Sequence, residues 1–267
     1  MNEIQNKLLE IAIAFVKVCE KLELSYFAIG GTCLGAIRHQ GFIPWDDDID
    51  FCMPRKDYEI FEKEAHKYLP QKYFIQTYKT DKNYIYPFMK IRDSETTAIE
   101  DEIKKLKINH GVWIDIFPMD GLPDDYSVKK KIETFDRQFV RRRFFIGGYQ
   151  KTFLDFIEKM ISIVLFPTKR SAIRKSEKLA KKYSINDTVY FWWNWSSRFE
   201  HNFKVEWFLD YETVPFESMK IRVPKKYNDY LTEHYGDWKM LPPMEKRVSG
   251  HTFSLVDLTK SYKAYYK

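Results

Sequence analysis

The chain has 267 residues, of which 44% are hydrophobic and 31% are charged. This composition excludes a wholly disordered protein and allows one or two domains with a packed core. Its three cysteines form no CxxC pair, which argues against a disulfide-stabilised secreted scaffold. No apolar run is long enough to cross a bilayer, and the first residues lack the pattern of a signal peptide, so we expect a cytoplasmic protein. The formal net charge of +6 is by itself only a weak indication of an anionic partner.

The first residues predict a helix, a short strand and a second helix. Apolar residues at helical spacing predict a helix over 4–23, and the apolar run at 26–29 predicts a strand. Gly30 and Gly31 are expected to end that strand, and Thr32 is expected to cap the short helix that follows.

The next part of the chain alternates between strands and a helix. The expected elements are strands at 48–53, 73–77, 85–92 and 112–117, and a helix over 54–68. Side chains alternate between the faces of a strand, so Lys90 and Arg92 lie on one face. This order predicts an α+β fold, with a mixed sheet and flanking helices over residues 1–122.

Residues 123–267 are expected to form a mostly helical region that packs on the first. Its segment 129–182 holds 16 Lys and Arg residues against five Asp and Glu residues, while the rest of the chain is net acidic. In this segment an apolar stripe recurs at helical spacing, formed by Phe153, Ile157, Met160, Ile161 and Val164.

Three interpretations of the basic segment are open. Residues 141–170 would suit an in-plane amphipathic helix at an anionic membrane surface. An ordinary packed helix with a solvated basic face would give the same pattern. A nucleic-acid patch is the third interpretation, but no recognition motif accompanies the charge, so we expect no nucleic-acid partner.

A run of carboxylates is the strongest functional signal. Asp46, Asp47, Asp48 and Asp50 lie within five positions, and on a strand Asp48 and Asp50 point to the same face. Asp115 interrupts an otherwise apolar strand, where an uncompensated charge is costly to bury. If the two strands are neighbours, the acids form one site whose hard oxygen ligands suit Mg²⁺ or Mn²⁺. The alternative is an acidic turn, with Asp115 on a solvated strand face.

A glycine turn lies upstream of the acids. Gly30 and Gly31 allow close approach of the backbone, and the start of a helix offers N–H groups to a phosphate, so Gly30, Gly31 and Thr32 are candidates to bind a phosphate group. Arg38, Lys90 and Arg92 are candidates to neutralise phosphate oxygens, although each one alone would serve equally well in a surface ion pair.

A turn, an acid pair and a distant acid are the parts that metal-dependent phosphoryl or nucleotidyl transfer needs. Metal ions clamp the phosphate and leaving oxygens, while a carboxylate activates a hydroxyl nucleophile. In this chemistry Asp48 and Asp50 hold the metal, and Asp115 is a metal ligand or the general base.

The run GGTCLGAIRHQGFIPWDDDIDFCMPRKDY at 30–58 closely resembles the signature of the LicD family, which belongs to the nucleotidyltransferase-fold superfamily together with fukutin and fukutin-related transferases. Further similar segments are KIRDSET at 90–96, HGVWIDIFPMDG at 110–121, VP at 223–224, YGDW at 235–238 and the prolines and histidine of 242–251. The resemblance implies a nucleotidyltransferase-like core. It also implies transfer of phosphocholine from CDP-choline to a hydroxyl of a cell-surface glycan precursor, with release of CMP. The basic middle segment matches no family motif.

The resemblance also implies partners and further site residues. A quaternary ammonium is commonly held by aromatic rings, and Trp45, beside the acids, has the best local case, although most aromatics are core residues. His251 and His234 are candidates for phosphate or acid–base contacts, and His251 ranks higher because it lies in a matching segment. A lipid-linked glycan acceptor of teichoic-acid or lipopolysaccharide type would place the enzyme on the inner face of the plasma membrane. The spacing of the cysteines does not predict a zinc site.

Two other functions stay open. A transferase that uses CDP-ribitol, CDP-glycerol or a nucleoside triphosphate would have the same metal site, so testing of donors is needed to separate it. A catalytically silent membrane- or nucleic-acid-binding module would explain the basic segment but not the complete set of acids.

Overall fold

The computed structural model describes residues 1–134, 168–193 and 203–266, and the pairs 156–157, 160–161 and 163–164. Its labelled helices are α1 (Glu3–Lys21), α2 (Gly30–His39), α3 (Arg55–Glu64), α4 (Lys169–Ala180) and α5 (Tyr227–Tyr235), with a further helical stretch over 126–134. Its strands are β1 (Phe27–Ala28), β2 (Asp50–Pro54), β3 (Tyr73–Gln76), β4 (Met89–Asp93), β5 (Thr97–Glu100), β6 (Val112–Leu122), β7 (Tyr190–Trp193), β8 (Tyr211–Phe216), β9 (Met219–Pro224) and β10 (Phe253–Asp257). The predicted α+β class and mixed sheet are confirmed.

A six-stranded mixed sheet lies at the centre of the fold. Its strand order is β1-β2-β6-β4-β3, and β7 also pairs with β6. The pair β2 and β6 is parallel, and the other neighbouring pairs are antiparallel. In this register Asp115 of β6 lies opposite Asp50 on one side and opposite Lys90 on the other. The sheet therefore sets an acid and a lysine on either side of the distant acid.

Helix α1 covers the sheet and supports the acid run. Its N-terminus has a capping box, in which the side chains of Asn2 and Gln5 each accept the other's backbone N–H. Phe15, on its buried face, stacks on Phe51 of β2 with 4.7 Å between ring centroids. The Gln5 side chain also donates to the carbonyl of Asp46 at 2.9 Å. The helix thus holds both β2 and the loop before it.

Helix α2 begins earlier than the sequence predicts. Gly30 and Gly31 form its first turn after Ile29, and no side chain caps it. The prediction that Thr32 caps the helix is wrong, because its hydroxyl instead accepts the N–H of Asp50 at 2.8 Å. Gly30 has a φ of +55°, which glycine adopts without steric cost. The start of α2 is therefore tied to the start of β2.

Strand β6 runs beyond the predicted end at residue 117. It continues because residues 119–122 pair with β7, more than 60 residues later in the chain. All 11 of its residues are buried, since it has neighbours on both sides. The buried Asp120 at this end forms an ion pair with Arg55, the first residue of α3. A pairing partner so distant in sequence leaves no local signal.

The sequence predicts a mostly helical region after residue 122, whereas the described part of that region also holds four strands. Strand β7 joins the central sheet, β8 and β9 form a hairpin, and β10 pairs with β5. Residues from before and after 122 share the main hydrophobic core; for example, Phe27 lies against Phe208 at 5.3 Å between ring centroids. The division into 1–122 and 123–267 stays a prediction.

The basic segment 129–182 is described only in part, and Arg141, Arg142 and Arg143 lie outside the described residues. Of its apolar stripe, the described members Ile157, Met160, Ile161 and Val164 are exposed. Among the described residues, no helix is both long and apolar enough to span a membrane. The cysteines Cys19, Cys33 and Cys52 are buried in the core and form no disulfide.

Candidate active site

A cavity of about 340 Å³ opens beside the first residues of β2 and β4 and the middle of β6. Six residues singled out from the sequence line it: Gly30, Asp48, Asp50, Lys90, Asp115 and His251. They come from widely separated parts of the chain, and His251 lies just before β10. The fold therefore gathers the acid pair, the distant acid, a lysine and a histidine around one space.

Lys90 and Asp115 form a buried ion pair at the centre of the site. The ammonium lies 2.9 Å from Oδ1 and 3.1 Å from Oδ2 of Asp115, and Lys90 is only 2% exposed. The indole N–H of Trp113 points to the same carboxylate, at 3.4 Å from Oδ2. The lysine offsets a charge that would otherwise be buried beside other acids.

The neighbouring acids crowd one another. Burial raises the pKa of Asp50 well above its usual range, the charges of Asp48, Asp115 and Asp46 raise it further, and Lys90 lowers it. Burial also raises the pKa of Asp48, with Asp115 and Asp47 adding to the effect and His251 opposing it. Burial and the nearby Asp48 raise the pKa of Asp46 to about 8. These carboxyl groups need more positive charge than the protein supplies.

The crowded acids fit a hard divalent cation in charge and in type of donor. Within the part of the chain that the structure describes, no three His, Cys, Asp or Glu side chains already form a group that could hold a metal ion. Asp115 is engaged by Lys90. Coordination by Asp48, Asp50 and Asp115 together would therefore require these side chains to adjust.

Asp47 differs from its neighbours because it is the partner of His251. Nδ1 of His251 lies 3.1 Å from Oδ1 of Asp47, and the hydroxyl of Ser249 donates to the other oxygen. Burial alone would lower the pKa of His251, but the bond to Asp47 and the charge of Asp48 raise it to about 9. For Asp47 burial acts in the opposite direction and raises the pKa, but the hydrogen bonds from His251 and Ser249 bring this pKa below its usual value. At neutral pH the cavity therefore faces a charged imidazolium.

The two glycines at the start of α2 leave room for the carboxylates. A Cβ atom on Gly30 would lie 3.4 Å from Oδ2 of Asp50, and one on Gly31 would collide with the carboxylate of Asp46. The N–H of Gly30 donates to the hydroxyl of Tyr230 at 2.8 Å. The glycine turn thus lets the helix approach the acids closely.

Arg92 lies behind the cavity and does not line it. It is fully buried, and it donates to Oε1 of Gln76 at 2.7 Å and to the carbonyl of Gly111 at 2.8 Å. Its guanidinium carbon lies 4.5 Å from the ring centre of Trp113, the residue that also contacts Lys90. The structure therefore places Arg92 as a support for Trp113.

Arg38 and Trp45 also lie outside the cavity lining. Arg38 donates to the carbonyl of Trp238 at 2.8 Å and to that of Met240 at 3.3 Å, so it holds the segment that follows α5. Trp45 is half-buried against the core, and the guanidinium of Arg247 lies 5.5 Å from its ring centre.

Several lining residues were not singled out as site residues from the sequence. Tyr86 and Phe88 line the cavity, and their alternate spacing with Lys90 is the signal that could have found them. Glu100 and Glu102 also line it, as does His234, which was a candidate from the sequence for phosphate or acid–base contacts. Glu100 is the last residue of β5, Glu102 follows that strand, and His234 lies in α5. No local pattern predicts that these elements meet the acids.

Comparison with known proteins identifies the family. Residues 23–146 match the family model described as LicD/FKTN/FKRP, nucleotidyltransferase domain. Over 263 residues, which cover 94% of this chain and 96% of the relative, the chain is 28% identical to the lipopolysaccharide cholinephosphotransferase LicD of Haemophilus influenzae. Residues 23–146 carry a LicD domain. The predicted resemblance to the LicD family is therefore confirmed.

Shorter matches connect this chain to two uncharacterized rickettsial proteins. The chain is 43% identical over 51 residues to one from Rickettsia prowazekii, which covers 19% of this chain and 18% of the relative. It is 44% identical over 43 residues to one from Rickettsia typhi, which covers 16% of this chain and 14% of the relative. The range that matches the LicD family model contains Asp48, Asp50, Lys90 and Asp115, whereas His251 follows it.

Proposed function

We propose that this LicD family member is a phosphotransferase that moves phosphocholine from CDP-choline to a hydroxyl of a cell-surface glycan precursor and releases CMP. The relative from H. influenzae, which aligns along nearly the whole chain, bears the name lipopolysaccharide cholinephosphotransferase. The observation that carries the proposal is the cavity that gathers Asp48, Asp50 and Asp115 beside Lys90 and His251.

In the proposed reaction, the oxygen of the acceptor hydroxyl attacks the phosphorus of the phosphocholine group. The bond between that phosphorus and the bridging oxygen breaks, and CMP leaves with the bonding electrons. The hydroxyl proton passes to a base, and Asp115 is our candidate for that base if it is not a metal ligand. Its contacts with Lys90 and Trp113 hold the carboxylate in a defined orientation.

We propose Mg²⁺ or Mn²⁺ as the cofactor, held by Asp48 and Asp50, with Asp115 as the third ligand if it is not the base. A bound ion would offset the charge of the phosphates and orient the transferred group. The support for this assignment is the raised pKa of Asp48 and of Asp50, because both reflect buried carboxyl groups with too little compensating charge.

His251 complements the acids. Asp47 raises its pKa to about 9, so it carries a positive charge at neutral pH. A fixed cation beside the transferred phosphate would stabilise the negative charge that is redistributed in the transition state. We therefore assign His251 to charge stabilisation.

We propose that the acceptor is lipid-linked, of lipopolysaccharide or teichoic-acid type, and that the enzyme reaches it at the inner membrane face through residues 141–170. The basic charge of this segment supports the proposal, as does the exposure of the described residues Ile157, Met160, Ile161 and Val164. The proposed membrane contact can be tested by replacing Arg141, Arg142 and Arg143 with serine. Unchanged binding to anionic liposomes would contradict it.

The central experiment measures CMP release from CDP-choline in the presence of Mg²⁺ and a lipid-extracted glycan acceptor. We expect Asp48→Asn and Asp115→Asn to lower the rate by a factor of at least about 100, and EDTA to abolish it. Asp124→Asn is the matched control, because Asp124 is an exposed aspartate outside the cavity lining. Its rate should match that of the wild type.

The donors separate the alternatives. If CMP is released from CDP-ribitol or CDP-glycerol but not from CDP-choline, the proposed site is correct and the proposed donor is wrong. The absence of release from every donor, together with no binding of Mg²⁺ or Mn²⁺, would contradict the proposed function and favour a binding module.

A further inference from the structure

Part of the cavity lining differs in chemistry from the acids proposed to hold the metal. Tyr86, Phe88 and Phe117 line it, and we call these three rings the aromatic wall. Glu100 and Glu102 line the same cavity, although neither belongs to the acid run. The proposed transfer chemistry leaves all five side chains without a function.

The aromatic wall lies beside a cation of the protein itself. The ammonium of Lys90 lies 5.1 Å from the ring centre of Tyr86 and 5.6 Å from that of Phe88. It also lies 4.3 Å from the ring of Trp113. The faces of aromatic rings attract cations at such distances. The environment is therefore already suited to a positively charged group.

The wall extends beyond the reach of Lys90. Tyr86 and Phe88 lie 5.3 Å apart by their ring centroids, and Phe88 and Phe117 lie 4.4 Å apart. This continuous surface is formed by the residues just before β4 and by the middle of β6, and it lines the cavity. Methyl groups of a ligand could pack on it while their charge contacts the rings.

The two glutamates add negative charge to the same space. Glu100 is only 8% exposed, and among the described residues its Oε2 accepts no hydrogen bond. This oxygen forms an ion pair with Nη2 of the buried Arg92 at 3.5 Å. Glu102 is exposed at the cavity rim. With Asp48, Asp50 and Asp115, the lining holds five carboxyl groups against one lysine and two histidines. A net negative cavity with an aromatic wall favours a cationic ligand.

We propose that the aromatic wall, Glu100 and Glu102 form a subsite for the quaternary ammonium of the transferred alcohol. The subsite makes the enzyme select choline over uncharged alcohols such as ribitol and glycerol. This inference rests on the proposed function, since it takes the phosphate of the same substrate to lie at the Asp48 and Asp50 end of the cavity.

The first experiment measures binding of free choline to the full chain by isothermal titration calorimetry. The comparison ligand is 3,3-dimethyl-1-butanol, which has the shape of choline but no charge. We expect choline to bind at least about tenfold more tightly than this alcohol. Glu102→Gln should weaken choline binding about threefold, and Glu100→Gln about tenfold, with no change for the uncharged alcohol.

The matched control is Glu95→Gln, because Glu95 is an exposed glutamate near β5 that does not line the cavity. Its choline affinity should equal that of the wild type. Glu102→Gln replaces an exposed side chain, so it decides the test if Glu100→Gln does not fold.

The second experiment separates the subsite from the reaction. In the CMP-release assay, Glu102→Gln should raise KM for CDP-choline about threefold, with kcat unchanged, and should leave KM for CDP-glycerol unchanged. A subsite that selects the cation acts on substrate binding, whereas a general loss of structure would lower kcat for both donors.

The outcomes distinguish the subsite from the proposed function. If choline and the uncharged alcohol bind equally, or if the glutamate variants bind choline like the wild type, the subsite is excluded even when CDP-choline is turned over. If choline binding depends on the glutamates but CDP-choline releases no CMP, the subsite stands and the proposed function fails.

Discussion

At the residue scale, Trp113 links a supporting arginine to Lys90 and Asp115 of the candidate site. Lys90 Nζ lies 4.3 Å from its ring centre and the guanidinium carbon of Arg92 lies 4.5 Å from it. Arg92 is held by Gln76 and by the carbonyl of Gly111. The position of Lys90, and through it that of Asp115, therefore depends on a residue that does not reach the cavity.

The pair of His251 and Asp47 should make the stability of the protein depend on pH. Burial alone would lower the pKa of His251, but Asp47 and Asp48 raise it to about 9, above the value of about 6.5 expected in the unfolded chain. The contribution of the pair is therefore complete below about pH 6.5 and is lost as the pH rises through about 9. We expect His251→Gln to lower the free energy of unfolding by about 2 kcal/mol near pH 6 and by much less near pH 9.5.

Urea unfolding of the metal-free protein at several pH values measures this difference. His66→Gln is the control, because His66 is exposed and lies outside the acid run in sequence. It should show no such dependence on pH. A loss for His251→Gln that is equal at both ends of the pH range would contradict the assignment.

At the element scale, the first turn of α2 determines where the acid run can lie. Thr32 accepts the N–H of Asp50, Gln5 of α1 donates to the carbonyl of Asp46, and Gly31 leaves room for the carboxylate of Asp46. Two helices therefore hold the loop that carries the acids on both sides. A loop with four neighbouring carboxyl groups needs such contacts, because like charges favour its opening.

Gly31→Ala should harm activity more than stability. The added methyl group would collide with the carboxylate of Asp46 and displace the loop that carries Asp48, one of the proposed metal ligands. Alanine also favours helix by about 1 kcal/mol relative to glycine, which offsets part of the cost of crowding. We expect kcat to fall about tenfold or more, with a small change in Tm.

Gly236→Ala is the matched control for Gly31→Ala. Gly236 has a φ of +67° and nothing lies within 4 Å of an added Cβ, so the substitution introduces backbone strain without crowding. It should lower stability by about 1–3 kcal/mol and leave kcat unchanged. If Gly31→Ala behaves in the same way, crowding of Asp46 is not important for activity.

At the scale of the whole molecule, the C-terminal half completes both the core and the cavity. Strand β7 pairs with the end of β6, and Phe208 packs against Phe27 of β1. The hydroxyl of Tyr230 accepts the N–H of Gly30, and His251 lines the cavity. Residues before and after position 122 are therefore parts of one packed structure.

A fragment of residues 1–122 should not fold on its own. It would lack the strand that pairs with residues 119–122 and would expose the part of the core that the C-terminal half covers. We expect circular dichroism to show no cooperative thermal transition for the fragment, whereas the full chain should show one. A cooperative transition in the fragment would instead support the predicted division into two domains.

The sequence alone determined the family resemblance, the α+β class and the candidate catalytic and binding residues. Asp48 and Asp50 at alternate positions, and Asp115 in an apolar strand, are visible because strand periodicity and the cost of a buried charge act locally. The 30–58 segment likewise carries its family resemblance in consecutive residues. Lys90 was visible for the same reason, because it alternates with apolar residues along β4.

Only the tertiary structure decided which of these residues meet. The parallel pairing of β2 with β6 brings Asp50 beside Asp115, and the contacts of Arg92 place it behind the cavity. Glu100 enters through the pairing of β5 with β10. Contacts between elements so distant in the chain form because the apolar faces of all of them are buried together, and no local window of sequence contains that information.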